Sequence, residues 1–245
     1  MKIIEKIQKK TRDLNGKKAV TIAFLGDSVT QGCFECYKIS EDAIETVFDY
    51  PSAYSTRLRE ILNILYPNTQ INIINSGISG GNAVGGALRL ERDILCYQPD
   101  LVVVSFGLND ACGGMENLQK YEDALREIFQ RIKDKGCECI FMTQNYMNTA
   151  LSCHISNDKL FSSLANQFLK LQNEGVLKEY FRVAKTVAKE FGIPVCDMYK
   201  VWEKMDYAGV NVTELLANKL NHPIREFHYY MAIKLLETMF FEDNE

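Results

Sequence analysis

The chain has 245 residues, 47% of them hydrophobic and 24% charged, with a formal net charge of −4. Such a chain can build a core without covalent staples, and a single domain spanning 1–245 is expected. The mild acidic balance offers no basic footprint for nucleic acid or an anionic membrane, and no segment is long and apolar enough to span a bilayer.

The first residues, Met1-Lys2-Ile3-Ile4-Glu5-Lys6-Ile7, are charged and helical in pattern. They lack the apolar stretch of a signal peptide, so a cytoplasmic protein is expected. Strand-like runs follow at Val20–Leu25, Ile71–Asn75, Leu101–Phe106, Cys139–Thr143 and Ile193–Cys196. All are short and apolar, as parallel strands covered on both faces tend to be. Between them, apolar periodicity predicts helices. Ser52–Leu65 aligns Tyr54, Leu58, Ile61, Leu62 and Leu65, and Leu118–Lys133 aligns Leu125, Ile128, Phe129 and Ile132. Val176–Phe191 aligns Leu177, Tyr180, Phe181, Ala184, Val187 and Ala188. A last helix is expected to start near Pro223 and to turn Ile224, Phe227, Met231 and Leu235 towards the core.

Repeated β-α alternation argues for a parallel sheet with helices on both sides. Two long segments, Cys33–Tyr50 and Gln144–Asn157, read as irregular. They are expected to shape a substrate pocket, with Phe34, Tyr37, Tyr146 and Met147 as candidate walls. The eight cysteines, in a large chain, are expected as reduced thiols. Cys33-Phe34-Glu35-Cys36 has redox spacing but no second CxxC pair, and it reads as ordinary buried cysteine.

Four short motifs fall at the carboxyl ends of predicted strands or beside the last helix. They are Gly26-Asp27-Ser28, Asn75-Ser76-Gly77-Ile78-Ser79-Gly80, Gly107-Leu108-Asn109-Asp110 and Asn221-His222-Pro223. Taken singly, each has a plain structural reading. Gly-Asp-Ser and the glycines suit turns, Asn109-Asp110 suits a helix cap, and His222 suits a helix start or a packed position. Their order, on successive strand ends, is what points to chemistry.

In these blocks the sequence resembles the SGNH hydrolases, also called GDSL-type esterases and lipases. The four residues that name that family match Ser28, Gly80, Asn109 and His222, and the resemblance runs from about Thr21 to about Met239. It implies a flavodoxin-like three-layer α/β/α fold with a five-stranded parallel sheet. It also implies hydrolysis of an ester, often an acetyl or short acyl group on a sugar, lipid or small molecule.

The residue types suit that chemistry. A serine hydroxyl needs a base to take its proton, and a neutral imidazole can do so near pH 7. The oxyanion formed on attack needs donors fixed in advance. The Ser28 N–H, the Gly80 N–H and the Asn109 amide are the candidates, and glycine lets the backbone approach without a Cβ. Of the other two histidines, His154 fits no motif and His228 is expected to pack or bond within its helix.

One departure stands out. The family usually carries Asp three residues before the histidine, and here that residue is Lys219. A Ser28–His222 dyad is expected, with the imidazole oriented by a backbone carbonyl in Asn218–Leu220 or by the Asn218 side chain. A carboxylate from elsewhere, such as Asp206, is the less favoured orienter. The serine context is not G-x-S-x-G, and neither a GxGxxG nor a Walker loop is present. No metal-ligand spacing is found, so neither a cofactor nor a metal is expected. The leading expectation is an ester hydrolase working through an acyl-Ser28 intermediate on a small-molecule or carbohydrate ester. The same fold with a disabled base, binding a carbohydrate or acyl ligand, is the first competitor. A phosphate or flavin binder using Gly26–Gly32 is the second. The acyl group, the alcohol and the oligomeric state are not legible at this level.

Overall fold

The structure, a computed structural model, describes residues 1–240. It opens with helix α1 (Lys2–Arg12), strand β1 (Val20–Gly26) and the single turn α2 (Ser28–Gln31). Strands β2 (Cys33–Lys38) and β3 (Ile44–Phe48), helix α3 (Tyr54–Leu65), β4 (Ile71–Gly77) and α4 (Ala83–Asp93) follow. The middle holds β5 (Leu101–Ser105), the short α5 (Leu108–Ala111), α6 (Leu118–Asp134) and β6 (Glu138–Thr143). The last part holds α7 (Lys159–Asn173), α8 (Val176–Glu190), β7 (Val195–Asp197), α9 (Met198–Tyr207) and α10 (Arg225–Phe240).

The main sheet has five strands in the order β4-β1-β5-β6-β7, all parallel. Every residue of β5 and nearly every residue of β1 is buried, which is why these segments read as continuous apolar runs. Helices cover both faces in a three-layer α/β/α sandwich. On one side α3 packs on α10 and α1 touches both β1 and α10; on the other, α6 packs between α4 and α8. Aromatic contacts tie layer to sheet, including Phe24 edge-on to Tyr54 at 5.6 Å and Phe129 edge-on to Phe141 at 6.0 Å. The chain passes from β1 to β4 on one side and then to β5 on the other. This reversal leaves a crevice at the carboxyl ends of β1 and β5, where open α/β folds bind ligands.

Three expectations need correction. Cys33–Tyr50 is largely not irregular: β2 and β3 form an antiparallel hairpin with a register shift between Cys33 and Cys36. Its strands mix polar and apolar residues and pair only with each other, so they carry no core-strand signature. Strand β7 begins at Val195, not Ile193. Pro194 has no N–H to give the ladder, although its carbonyl accepts from Phe141 N at 3.1 Å. The last helix begins at Arg225; Pro223 instead forms an isolated bridge with Leu216.

Candidate active site

Strand β1 ends in a sharp reversal. A side chain at Gly26 would run into Thr30 and the Ser105 carbonyl, so the close packing of β1, β5 and α2 demands glycine there. Asp27 then caps α2, its Oδ1 accepting from Val29 N at 3.0 Å. Ser28 is therefore the first helical residue at the sheet's carboxyl edge, and 4% of it remains exposed.

His222 reaches this serine from the segment before α10. The Asn218 Oδ1 accepts three backbone N–H groups, from Leu220, Asn221 and His222, at 3.0, 2.9 and 2.9 Å. That fan of bonds bends the loop, and Lys219 takes a left-handed conformation with φ of 59°. Asn145 Nδ2 also donates to the Asn221 carbonyl at 2.8 Å. The result places His222 Nε2 3.0 Å from Ser28 Oγ.

The other ring nitrogen, Nδ1, lies 3.0 Å from the Phe34 carbonyl oxygen in β2. A carbonyl can only accept, so Nδ1 carries the proton and Nε2 presents a lone pair to the serine hydroxyl. Neither Asn218 nor the 218–220 carbonyls hold this nitrogen. The Asn218 Oδ1 is committed to backbone N–H groups, and its Nδ2 donates to Asn221 Oδ1 at 3.0 Å. Among the described residues, no carboxylate, Asp206 included, bonds Nδ1. Lys219 points its ammonium to Glu214, 2.9 Å away. Burial lowers the His222 pKa to about 4, opposed by the Phe34 hydrogen bond.

Two more blocks close on the same crevice. Gly80 has φ of 73°, a conformation side-chain-bearing residues rarely adopt, and a Cβ there would enter open space. Among the described residues its N–H has no acceptor. Asn109 Nδ2 donates to the Gly81 carbonyl at 2.8 Å and makes a long 3.4 Å contact with Asp27 Oδ2. These contacts tie the blocks after β1, β4 and β5 together.

Gln144, directly after β6, has a structural role that periodicity did not reveal. Its Nε2 donates to both oxygens of Asp27, at 2.9 and 2.8 Å, while its Oε1 accepts from Leu108 N at 2.9 Å. One side chain thus staples the serine turn to the turn that carries Asn109. The available signal was position: a polar residue immediately after an apolar strand, at the sheet's carboxyl edge. Burial raises the Asp27 pKa to about 6, opposed chiefly by this Gln144 bond. Burial likewise raises Asp110 to about 7, and its Oδ2 is buried without a partner.

The expected pocket walls are mostly elsewhere. Tyr146 and Met147 join the core, Tyr146 against Tyr199 and Trp202, and Phe34 is buried against His228, whereas Tyr37 is exposed on the hairpin. His228 is buried, and its Nδ1 accepts from Tyr54 N at 3.2 Å. His154 is exposed beside Glu214. All eight cysteines are free, and burial pushes the Cys33 thiol up to about 12. A cavity of about 740 Å³, lined by Phe129, Lys133, Cys139 and Phe191, opens at the amino ends of β6 and β7 and contains no residue of the four blocks. Among the described residues, no group of His, Cys, Asp or Glu is placed to hold a metal ion, and no helix is long and apolar enough to cross a membrane.

Comparison with known proteins bears on the family and the fold. An acetylxylan esterase of Geobacillus stearothermophilus is 26% identical over 135 residues, 51% of this chain and 60% of that protein. The thioesterase 1/protease 1/lysophospholipase L1 of Escherichia coli (strain K12) is 28% identical over 124 residues, 51% of this chain and 50% of that one. The chain therefore matches only part of the length of these two enzymes. A Bacillus subtilis (strain 168) protein named uncharacterized lipoprotein YqeF is 24% identical over 226 residues, covering 87% of this chain and 84% of its own. Among solved structures, the acetylxylan esterase Axe2 of Geobacillus stearothermophilus superposes with a TM-score of 0.66 at 23% identity, covering 91% of this chain and 95% of its own. The acetyl xylan esterase AlAXEase gives 0.65 at 18%, over 89% and 98%. At these identities the superpositions speak to the fold. Residues 24–228 match the GDSL-like Lipase/Acylhydrolase family, and the chain belongs to that family of ester-bond hydrolases.

Proposed function

We propose that the protein is a serine esterase that removes an acetyl or short acyl group from a sugar or small-molecule alcohol through an acyl-Ser28 intermediate. The observation that carries this reading is the 3.0 Å contact between Ser28 Oγ and a His222 Nε2 whose lone pair is fixed by the Phe34 carbonyl. In the first half-reaction His222 takes the Ser28 proton as Oγ attacks the ester carbonyl. The Ser28 N–H lies in the first turn of α2, where N–H groups have no intrahelical acceptor. With the Gly80 N–H and the weakly engaged second N–H of Asn109, it faces the developing oxyanion. His222 then gives its proton to the leaving alcohol. In the second half-reaction water, activated by the same imidazole, releases the acid.

The acyl preference rests on kinship. The named relatives include an acetylxylan esterase and a thioesterase/lysophospholipase, and the first of these motivates the acetyl group. The neutral Phe34 carbonyl on His222 Nδ1, where the family's pattern has a carboxylate, favours one rival, a module that binds its ligand but turns over slowly. Labelling with a fluorophosphonate separates the two. Stoichiometric labelling at Ser28, with release of acetate from acetylated sugars or nitrophenyl acetate, supports the esterase. A protein that binds acetylated sugar but neither labels nor hydrolyses is the binding module.

A further inference from the structure

The base is oriented by a carbonyl on a hairpin, not by a residue of the main sheet. Strands β2 and β3 pair only with each other, and a two-stranded hairpin is marginal on its own. Whatever fastens the hairpin therefore fixes the Phe34 carbonyl. The strongest fastener is Arg225, three residues after His222 at the start of α10. Its Nη1 and Nη2 take Glu35 in a fork at 2.5 and 3.0 Å, and its Nε takes Asp49 at 2.7 Å. Glu35 directly follows Phe34, and Asp49 directly follows β3. The same guanidinium lies over the Phe34 ring, 4.3 Å from its centroid, while His228 covers that ring at 4.7 Å. Asp49 is itself held, its N–H donating to the Gly32 carbonyl at 2.8 Å. Two lesser ties are a long Asn218–Cys36 contact and the Lys38–Asp158 ion pair.

We propose that Arg225 is a positioning residue for the base, clamping Glu35 and Asp49 so that the Phe34 carbonyl stays on His222 Nδ1. The clamp joins the two segments whose separation would break that bond, because Arg225 travels with His222 while Glu35 travels with Phe34. A planar, five-donor fork suits this double carboxylate grip, which a lysine ammonium cannot reproduce. The proposal rests on the Ser28–His222 esterase reading, but its first readout is independent of turnover.

The test combines long-range 1H–15N spectra with kinetics. The chain has three histidines. The two buried ones carry opposite tautomers, Nδ1–H for His222 and Nε2–H for His228, because His228 Nδ1 accepts from Tyr54. His228 is thus an internal reference. In Arg225→Met, which keeps an apolar stem over Phe34, the His222 signal is expected to become a mixture of tautomers while His228 is unchanged. The kcat on nitrophenyl acetate is expected to fall about 10²-fold with KM within about twofold, as for a displaced catalytic group. Arg225→Lys should recover only part of the loss. If Arg225→Met does not fold, the Glu35→Gln, Asp49→Asn double variant removes the same grip and should give the same spectral change. A retained His222 Nδ1–H signal in a folded variant overturns the proposal, whether or not kcat falls. If the wild type neither labels nor hydrolyses, the esterase reading fails, and the spectra still decide the clamp.

Discussion

The Phe34 carbonyl oxygen and the His222 Nδ1, 188 positions apart in the chain, meet at 3.0 Å. The family's pattern supplies a charged carboxylate near this nitrogen; here a neutral main-chain group stands in its place. A carbonyl fixes the tautomer as well as a carboxylate does, but it gives less help to the imidazolium that forms during attack. The first two predictions below follow from that difference.

The first concerns pH. The His222 pKa is lowered to about 4 because burial disfavours the charged ring, and the Phe34 carbonyl offsets this only in part. The acid limb of kcat/KM reports the base of the free enzyme. The expected profile is flat from neutral pH down to about 5, with half of the rate remaining near pH 4. Initial rates over short times, before any acid unfolding, measure it. An acid limb near 6.5, the ordinary histidine value, would show that a buried neutral base is the wrong description.

The second concerns Lys219. Restoring the family's aspartate by Lys219→Asp is expected not to raise kcat by more than about twofold. The side chain at this position faces Glu214, not the imidazole, and the left-handed turn that aims it there is imposed by Asn218. The variant also loses the Glu214 ion pair, whose ammonium holds the Glu214 carboxyl below its ordinary range. A drop in melting temperature is therefore expected, modest because Glu214 is part-exposed and such pairs are worth at most about 1 kcal/mol. A large gain in kcat would mean that the loop can turn its side chain onto Nδ1.

The third concerns Asp110. Its native pKa is raised to about 7, by burial first, against an ordinary value of 3.8. Between those values the native state holds a proton that the unfolded chain has lost. Stability then falls as pH rises through that window and levels off above it. His222 at about 4 and His228 at about 3 act in the opposite direction, removing stability as pH falls below about 6.5. Asp110→Asn removes the buried charge. Its stability relative to wild type is expected to be greater at pH 8 than at pH 4.5, by something of the order of 2–4 kcal/mol. Urea midpoints at the two pH values check this. A difference that does not change with pH would show that Asp110 titrates normally.

Legibility in the sequence followed burial pattern. The inner strands β1, β5 and β6 were readable because two-sided burial writes a continuous apolar run, most plainly in Leu101–Ser105. The hairpin was not, because its strands are mostly part-exposed, show no alternation of buried and exposed residues, and carry a register shift. Helix α4 escaped notice for a packing reason: a Cβ at Gly86 would lie 2.6 Å from the Phe106 ring, so the helix carries glycine where it crosses the sheet, next to a second glycine at Gly85. At the candidate site, Ser28, Gly80 and Asn109 were legible as blocks at strand ends, and His222 as a block beside the last helix. What supports them was less so. The Phe34 contact uses a main-chain carbonyl, which every residue has, and no side-chain pattern can reveal it. Arg225 and Gln144 act through partners far away in sequence, and that distance hides them from any local window.

Gln144 provides the last prediction. Gln144→Ala removes the two bonds to Asp27 and leaves the Leu108 N–H buried with no acceptor. The loss of stability should be about 2–4 kcal/mol, since a charge-assisted bond goes and a buried donor is left unmet. Stability alone does not settle what the staple does for turnover, and Gln144→Glu is the sharper variant. It can still accept from Leu108 N, but it cannot donate to Asp27 unless one of the two carboxyls is protonated. Because Asp27 already titrates near 6, the pair is expected to share a proton at acid pH and to repel at alkaline pH. The expected outcome for Gln144→Glu is near-normal stability at about pH 5 and a steep loss of kcat, with little change in KM, between about pH 6 and pH 8. Wild type should show no such fall over that interval. A Gln144→Glu profile parallel to wild type would mean that the Asp27–Gln144 contact does not bear on how Ser28 and Asn109 are held.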